Sequence, residues 1–105
     1  MLGGKSYQPD GFNGYFLQPT ILFNMAKEYL TTREEVFAPV VALYSFKTEE
    51  EIIEIANDCD VGLGSFIITK NISRSWRVAE ALEVGMVGVN FGQLSACESP
   101  FGGEY

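Results

Sequence analysis

A chain of 105 residues suffices for one small domain, and 47% hydrophobic with 20% charged residues is the composition of a folded protein. A formal net charge of −7 argues against nucleic acid or an anionic membrane as partner. The chain has no histidine, so it supplies neither a His-based triad nor a His–metal site.

No apolar run is long enough to span a bilayer, and Met1 opens no basic, apolar leader. The lone cysteines, Cys59 and Cys97, match no disulfide or metal spacing. They fit a reducing compartment better than secretion, with cytoplasm and mitochondrion both open.

Met1–Asn13, with Gly3, Gly4, Pro9 and Gly11, reads as loop or as the tail of an upstream element. Tyr15–Phe23 is apolar enough for a strand, but Pro19 makes it an edge strand or two short ones. A short helical turn fits Ala26–Tyr29. The apolar run Val40–Phe46 predicts a strand buried on both faces. Thr48-Glu49-Glu50-Glu51 is a capping box, with three acids placed to suit the helix dipole, and Ile52, Ile53, Ile55 and Ala56 give the apolar face. A helix over Glu49–Asn57 follows.

Asn57–Gly62 is a turn, and Leu63–Thr69 a second buried strand. Asn71 or Ser73 caps a helix over Asn71–Val84, buried through Ile72, Trp76, Ala79 and Leu82, with Arg74, Arg77, Glu80 and Glu83 pairing on its other faces. Gly85 stops it as a C′ residue. Met86–Phe91 is a third strand, and the chain is loop from Gly92 on. Strand, helix, strand, helix, strand implies α/β architecture: an open sheet of the three-layer type around a parallel βαβαβ core with right-handed connections.

The stretch Arg33–Val41 carries the chemistry. Two acids, an aromatic and Pro39 precede the strand, a polar elbow with Glu35 and Phe37 at its edge. In open α/β sheets, ligands bind at strand ends, where an acid and an aromatic ring suit a ribose hydroxyl and one face of a flat ring. The plainer alternative makes Glu34 and Glu35 solvated loop charges and Phe37 core.

Five stretches in register over essentially the whole chain resemble the C-terminal part of aldehyde dehydrogenases. They are Gly14–Leu22, Glu34–Val40, Ala56-Asn57-Asp58 with Val61-Gly62-Leu63, Gly88-Val89-Asn90, and Pro100-Phe101-Gly102-Gly103. Glu83–Asn90 followed by Leu94-Ser95 is most similar to the succinate-semialdehyde dehydrogenase branch. The resemblance implies a catalytic-domain portion of an enzyme that uses NAD or NADP and a small aldehyde. It implies that Glu35 hydrogen-bonds the nicotinamide ribose, that Phe37 packs near the nicotinamide, that Ser95 binds the semialdehyde carboxylate, and that Phe101 lines the substrate tunnel. The family's nucleotide-binding domain, nucleophilic cysteine and general-base glutamate would lie upstream of Met1, and its C-terminal arm beyond Tyr105. The chain alone is therefore expected to be a single partial domain without turnover, its residues serving to position substrate and cofactor.

The family has glycine where this chain has Ala38. If that position needs a positive φ, alanine is costly there. Neither cysteine suits a replacement nucleophile. Cys59 lies between Asp58 and Asp60 after a helix C-terminus, and Cys97 adjoins Glu98, surroundings that disfavour a thiolate. Gly62-Leu63-Gly64 precedes a strand with no helix directly after it, the wrong context for a phosphate loop. The rival reading is a non-enzymatic α/β interaction module that keeps the scaffold. In either case two helices are few for three strands. Val41, Leu43, Phe66, Ile68, Val87 and Val89 are candidates for an uncovered set, and self-association is expected.

Overall fold

The computed structural model describes residues 1–26 and 28–104, which fall into two compact units, Met1–Ser45 and Phe46–Tyr105. In the first unit, Pro19 has no amide to give a ladder, and the apolar segment divides around it. Strand β1 (Ser6–Tyr7) pairs antiparallel with β2 (Phe16–Leu17), and β3 (Thr20–Phe23) pairs parallel with β4 (Val40–Leu43). Met1–Asn13 is therefore not all loop. Besides β1, Leu2 and Ile21 exchange two backbone hydrogen bonds of 2.9 Å. Two residues are too few for alternation to show in a sequence.

A parallel pair needs a long crossover, and residues 24–39 provide it, with a single helical turn α1 (Leu30–Arg33) inside. The turn expected at Ala26–Tyr29 includes Lys27, which lies outside the described residues. Tyr29 N donates to Ala26 O at 3.2 Å, and the helix starts one residue later. The register Thr20↔Val40 and Leu22↔Ala42 sets these four on one face, where Leu22 is 8% exposed. Ile21, Phe23, Val41 and Leu43 alternate to the other face and are exposed. β4 is thus covered on one face only, against the expectation of burial on both.

The second unit runs α2 (Glu49–Asn57), β5 (Gly64–Ile67), α3 (Ile72–Ala81), β6 (Met86–Val89), with β5 and β6 parallel. α2 has the bounds the capping box predicts: Thr48 Oγ1 accepts from Glu51 N at 3.2 Å, while the Glu51 carboxylate accepts from Lys47 N at 2.8 Å. Asn71 is the cap of α3, its Oδ1 accepting from Arg74 N at 3.0 Å. Ile52, Ile53 and Ala56 of α2 and Val78 and Leu82 of α3 line a shared hollow over β5.

Three expectations for α3 change. Its covered stripe is Ser75, Val78, Ala79 and, at the C-cap, Leu82, whereas Ile72 and Trp76 are 72% and 66% exposed. The helix also ends at Ala81 with Leu82 extended, so Gly85 is not its C′ residue. The arginines pair elsewhere as well: Arg74 and Arg77 reach Glu49 of α2, not Glu80 or Glu83.

The α/β class and the parallel pairing are as expected, and the strands fall into separate ladders: β4 with β3, β5 with β6. The register Gly64↔Met86, Phe66↔Gly88 places two glycines on one face of the second pair. Leu94 lies over them, within contact distance of a Cβ built on either glycine. Phe66 and Ile68 remain exposed, whereas Val87, from the same expected uncovered set, is half-buried. No helix among the described residues is long and apolar enough to cross a membrane.

Candidate cofactor and substrate segments

Glu35 and Phe37 lie in the first unit, on the irregular segment between α1 and β4. Glu34 N closes α1 by donating to Leu30 O at 2.8 Å, after which the backbone turns extended. Ala38 N then donates to Val36 O at 2.9 Å, and Val40 N to Ala38 O at 2.7 Å. These i→i+2 bonds make consecutive γ-turns centred on Phe37 and Pro39. Phe37 has no positive φ, so its turn is the unstrained inverse type common at strand starts. The turn throws the Phe37 ring outward, 94% exposed. Phe37 is therefore not core, and the plainer alternative fails for it.

The Glu35 carboxylate is exposed and makes no hydrogen bond or ion pair among the described residues. It has acceptor capacity free for a pair of hydroxyls. Ala38 has no positive φ, so alanine carries no backbone strain there.

Ser95 and Phe101 lie in the second unit, on the segment after β6. Asn90 starts that segment in the left-handed region, φ 55°. Its N–H donates to Ile67 O at 2.8 Å, Oδ1 accepts from Thr69 N at 2.9 Å, and Nδ2 donates to Thr69 O at 2.8 Å. The side chain thus extends the β5–β6 pairing past the last strand residue. Leu94, docked on Gly64 and Gly88, then fixes the residue next to Ser95. Ser95 is exposed; its backbone carbonyl accepts from Gln93 Nε2 at 3.1 Å, and its hydroxyl makes no bond among the described residues. Phe101 is exposed and precedes Gly102 and Gly103, which run back to a backbone bridge between Gly62 and Glu104.

Each segment thus presents an unengaged polar group and an exposed ring: Glu35 with Phe37, and Ser95 with Phe101. The sequence marks Asn57 and Gly62 as turn residues, Asn90 as part of a matched stretch and Gly85 as a helix stop, and does not reveal the bonds they make. Asn57 Nδ2 donates to Ala81 O at 2.8 Å while its Oδ1 accepts from Glu83 N at 3.0 Å, clasping the end of α3 to α2. The signal was an asparagine at the end of a helix, ambiguous with an ordinary turn residue. Cys59 and Cys97 are both free and exposed, and no cluster of potential metal ligands occurs among the described residues.

The model of the aldehyde dehydrogenase family matches residues 1–104, and the chain belongs to that family. Among its relatives, succinate-semialdehyde dehydrogenase of rice mitochondria is 52% identical over 103 residues, 98% of this chain and 19% of the relative. A solved succinate-semialdehyde dehydrogenase from Burkholderia pseudomallei is 42% identical with a TM-score of 0.89, the match covering 98% of this chain and 21% of that one. The indole-3-acetaldehyde dehydrogenase of P. syringae, solved with NAD+ and IAA, is 36% identical with a TM-score of 0.90 over 98% of this chain and 21% of its own. The chain therefore spans about a fifth of the length of the proteins it matches.

Proposed function

We propose that this chain is the substrate- and cofactor-positioning portion of the catalytic domain of an NAD(P)-dependent aldehyde dehydrogenase that oxidises succinate semialdehyde to succinate. Both units belong to that domain. The observation that carries the reading is the pairing of an unengaged Glu35 carboxylate with an outward Phe37 ring on one turn, in a chain of this family.

The residues fit a nicotinamide nucleoside. A free carboxylate accepts from two vicinal hydroxyls, and an exposed ring offers one face to a flat heterocycle. A bound nicotinamide would supply the acceptor for the hydride of the reacting carbon. Glu35 holds the ribose and so fixes the ring's position, Phe37 restricts its tilt and excludes water from one face, and neither makes or breaks a bond. Ser95 Oγ donates to the carboxylate at the far end of the semialdehyde, a charge-assisted hydrogen bond that selects for an acid terminus. Phe101 supplies apolar wall for the intervening methylenes.

The nucleophile and general base are not among the groups assigned here, so the isolated chain has no turnover. Reduced nicotinamide appearing from succinate semialdehyde with this chain alone, at a rate abolished by a substitution in it, would remove that part of the reading. The substrate is tested in a full-length aldehyde dehydrogenase carrying this chain in place of its own matching segment. Ser95→Ala should weaken succinate semialdehyde by roughly 1.5–3 kcal/mol, the scale of a hydrogen bond to a charged group, and leave an uncharged aldehyde of similar length nearly unaffected. Equal losses for both substrates would show that Ser95 does not read the carboxylate.

A further inference from the structure

Three stretches of backbone meet at glycines in the second unit. Gly62 N donates to Glu104 O at 3.1 Å, Glu104 N donates to Gly62 O at 2.9 Å, and Gly85 N donates to the same Gly62 carbonyl at 3.0 Å. A Cβ on Gly85 would overlap Gly102 O, and one on Gly62 would overlap Glu83 O, both far inside contact distance. A Cβ on Gly103 would stand 2.9 Å from Gly62 O. None of the three has a positive φ, so what glycine supplies here is space and not backbone freedom. Among the described residues, the two Gly62–Glu104 bonds are the only hydrogen bonds that residues 100–104 make.

The junction is thus the anchor of the segment that carries Phe101. Gly62 closes the turn before β5, and Gly85 stands one residue before β6, so the anchor is built on the ends of the parallel pair. Phe101 itself is exposed and makes no hydrogen bond among the described residues, so its place follows from where Gly102–Glu104 dock. We propose that Gly62 and Gly85 are positioning residues: their backbone junction docks the terminal segment and thereby sets where Phe101 is presented to the aldehyde. The second half rests on the substrate-lining reading of Phe101; the docking does not.

The test separates the two. In this chain, Gly85→Ala should speed hydrogen exchange at the Gly62 and Glu104 amides about tenfold or more while leaving the amides of α2 and α3 as protected as before. Leu22→Ala, which lowers stability from the first unit, should not single out those two amides. If Gly85→Ala fails to fold, Gly103→Ala, with its milder contact, takes its place. Glu104 protection unchanged in the folded variant would overturn the docking. In the full-length enzyme carrying this chain, Gly85→Ala and Phe101→Ala should each raise KM for succinate semialdehyde roughly tenfold with kcat within about twofold, a split that general destabilisation does not produce. A raised KM in Phe101→Ala with none in Gly85→Ala would overturn the positioning. No effect in Phe101→Ala would remove the substrate reading and leave the docking to stand on the exchange result.

Discussion

At the scale of single residues, two kinds of position differ in how far sequence could reach them. The polar elbow before β4 was readable, because two acids and a proline at a strand entrance leave few other roles. What was not readable was the direction of the Phe37 ring. An i→i+2 hydrogen bond carries no residue signature, and the same five residues could have turned the ring inward. In a full-length enzyme carrying this chain, Glu35→Gln should impair hydride transfer more than aldehyde binding, since the role proposed for Glu35 is on the ribose alone. Single-turnover rates beside aldehyde KM decide it, and unchanged cofactor affinity together with unchanged turnover would return Glu35 to the solvated loop. Asn90 makes a separate prediction about stability. Its φ of 55° is one that Asn tolerates better than Ala, and its carboxamide makes two bonds to Thr69. Asn90→Gly keeps the backbone region and loses the bonds, at a cost of about 1–3 kcal/mol. Asn90→Ala should cost about 1–2 kcal/mol more for the left-handed backbone. Urea midpoints should fall from Asn to Gly to Ala; Ala as stable as Gly would mean that position 90 relaxes to a negative φ.

At the scale of elements, caps and bounds were legible where chemistry is local. Thr48, Glu51 and Asn71 act within three or four residues of themselves; α2 has the expected bounds and α3 the expected start, while the end of α3 falls three residues short of Val84. Contacts between elements were not, because they depend on which helix lies beside which. Arg77 Nε and Nη2 grip the Glu49 carboxylate at 2.6 and 2.9 Å, and Arg74 Nε adds a bond at 3.1 Å. These bonds cross from α3 to α2, where sequence spacing predicted pairs within α3. The Arg77 hydrogen bond, followed by that of Arg74, holds the Glu49 carboxyl below its ordinary value of 4.5 and raises the Arg77 guanidinium above its own. A carboxyl whose folded value lies below its unfolded one stabilises the fold above the unfolded value and ceases to as pH falls through the folded one. Glu49→Gln should therefore lower Tm near neutral pH, with the gap to the parent closing below the ordinary glutamate range and shrinking in salt. Thermal melts across that pH range test this; an equal gap on both sides would mean that charge at Glu49 plays no part in holding α2 to α3.

At the scale of the whole molecule, the parallel α/β class was legible in the sequence and the cover of the strands was not. Val40–Phe46 reads as buried on both faces because every residue but Tyr44 and Ser45 is apolar. In the structure Val41, Leu43 and Phe46 are exposed, as are Phe23, Phe66, Ile68, Ile72 and Trp76, and Leu22 alone among the described large apolar side chains is buried. An apolar run states what the strand would bury, not whether this chain supplies the cover. Exposed Trp76 and Ile72 stand one turn apart on α3, and α3 leads out of the β5 end near Ile68. Apolar surface on that scale draws a partner, and the short edge strands add unpaired backbone groups. The chain should therefore self-associate at low micromolar concentration, as an ordered oligomer or as soluble aggregate. Sedimentation velocity over a dilution series should show a weight-average coefficient that rises with concentration. Replacing Ile72 and Trp76 together by Lys should lower it, since a charge opposite the same site on a second copy is costly to bury. A single monomeric species, with a cooperative melt independent of concentration, would show that the chain needs no partner for these side chains.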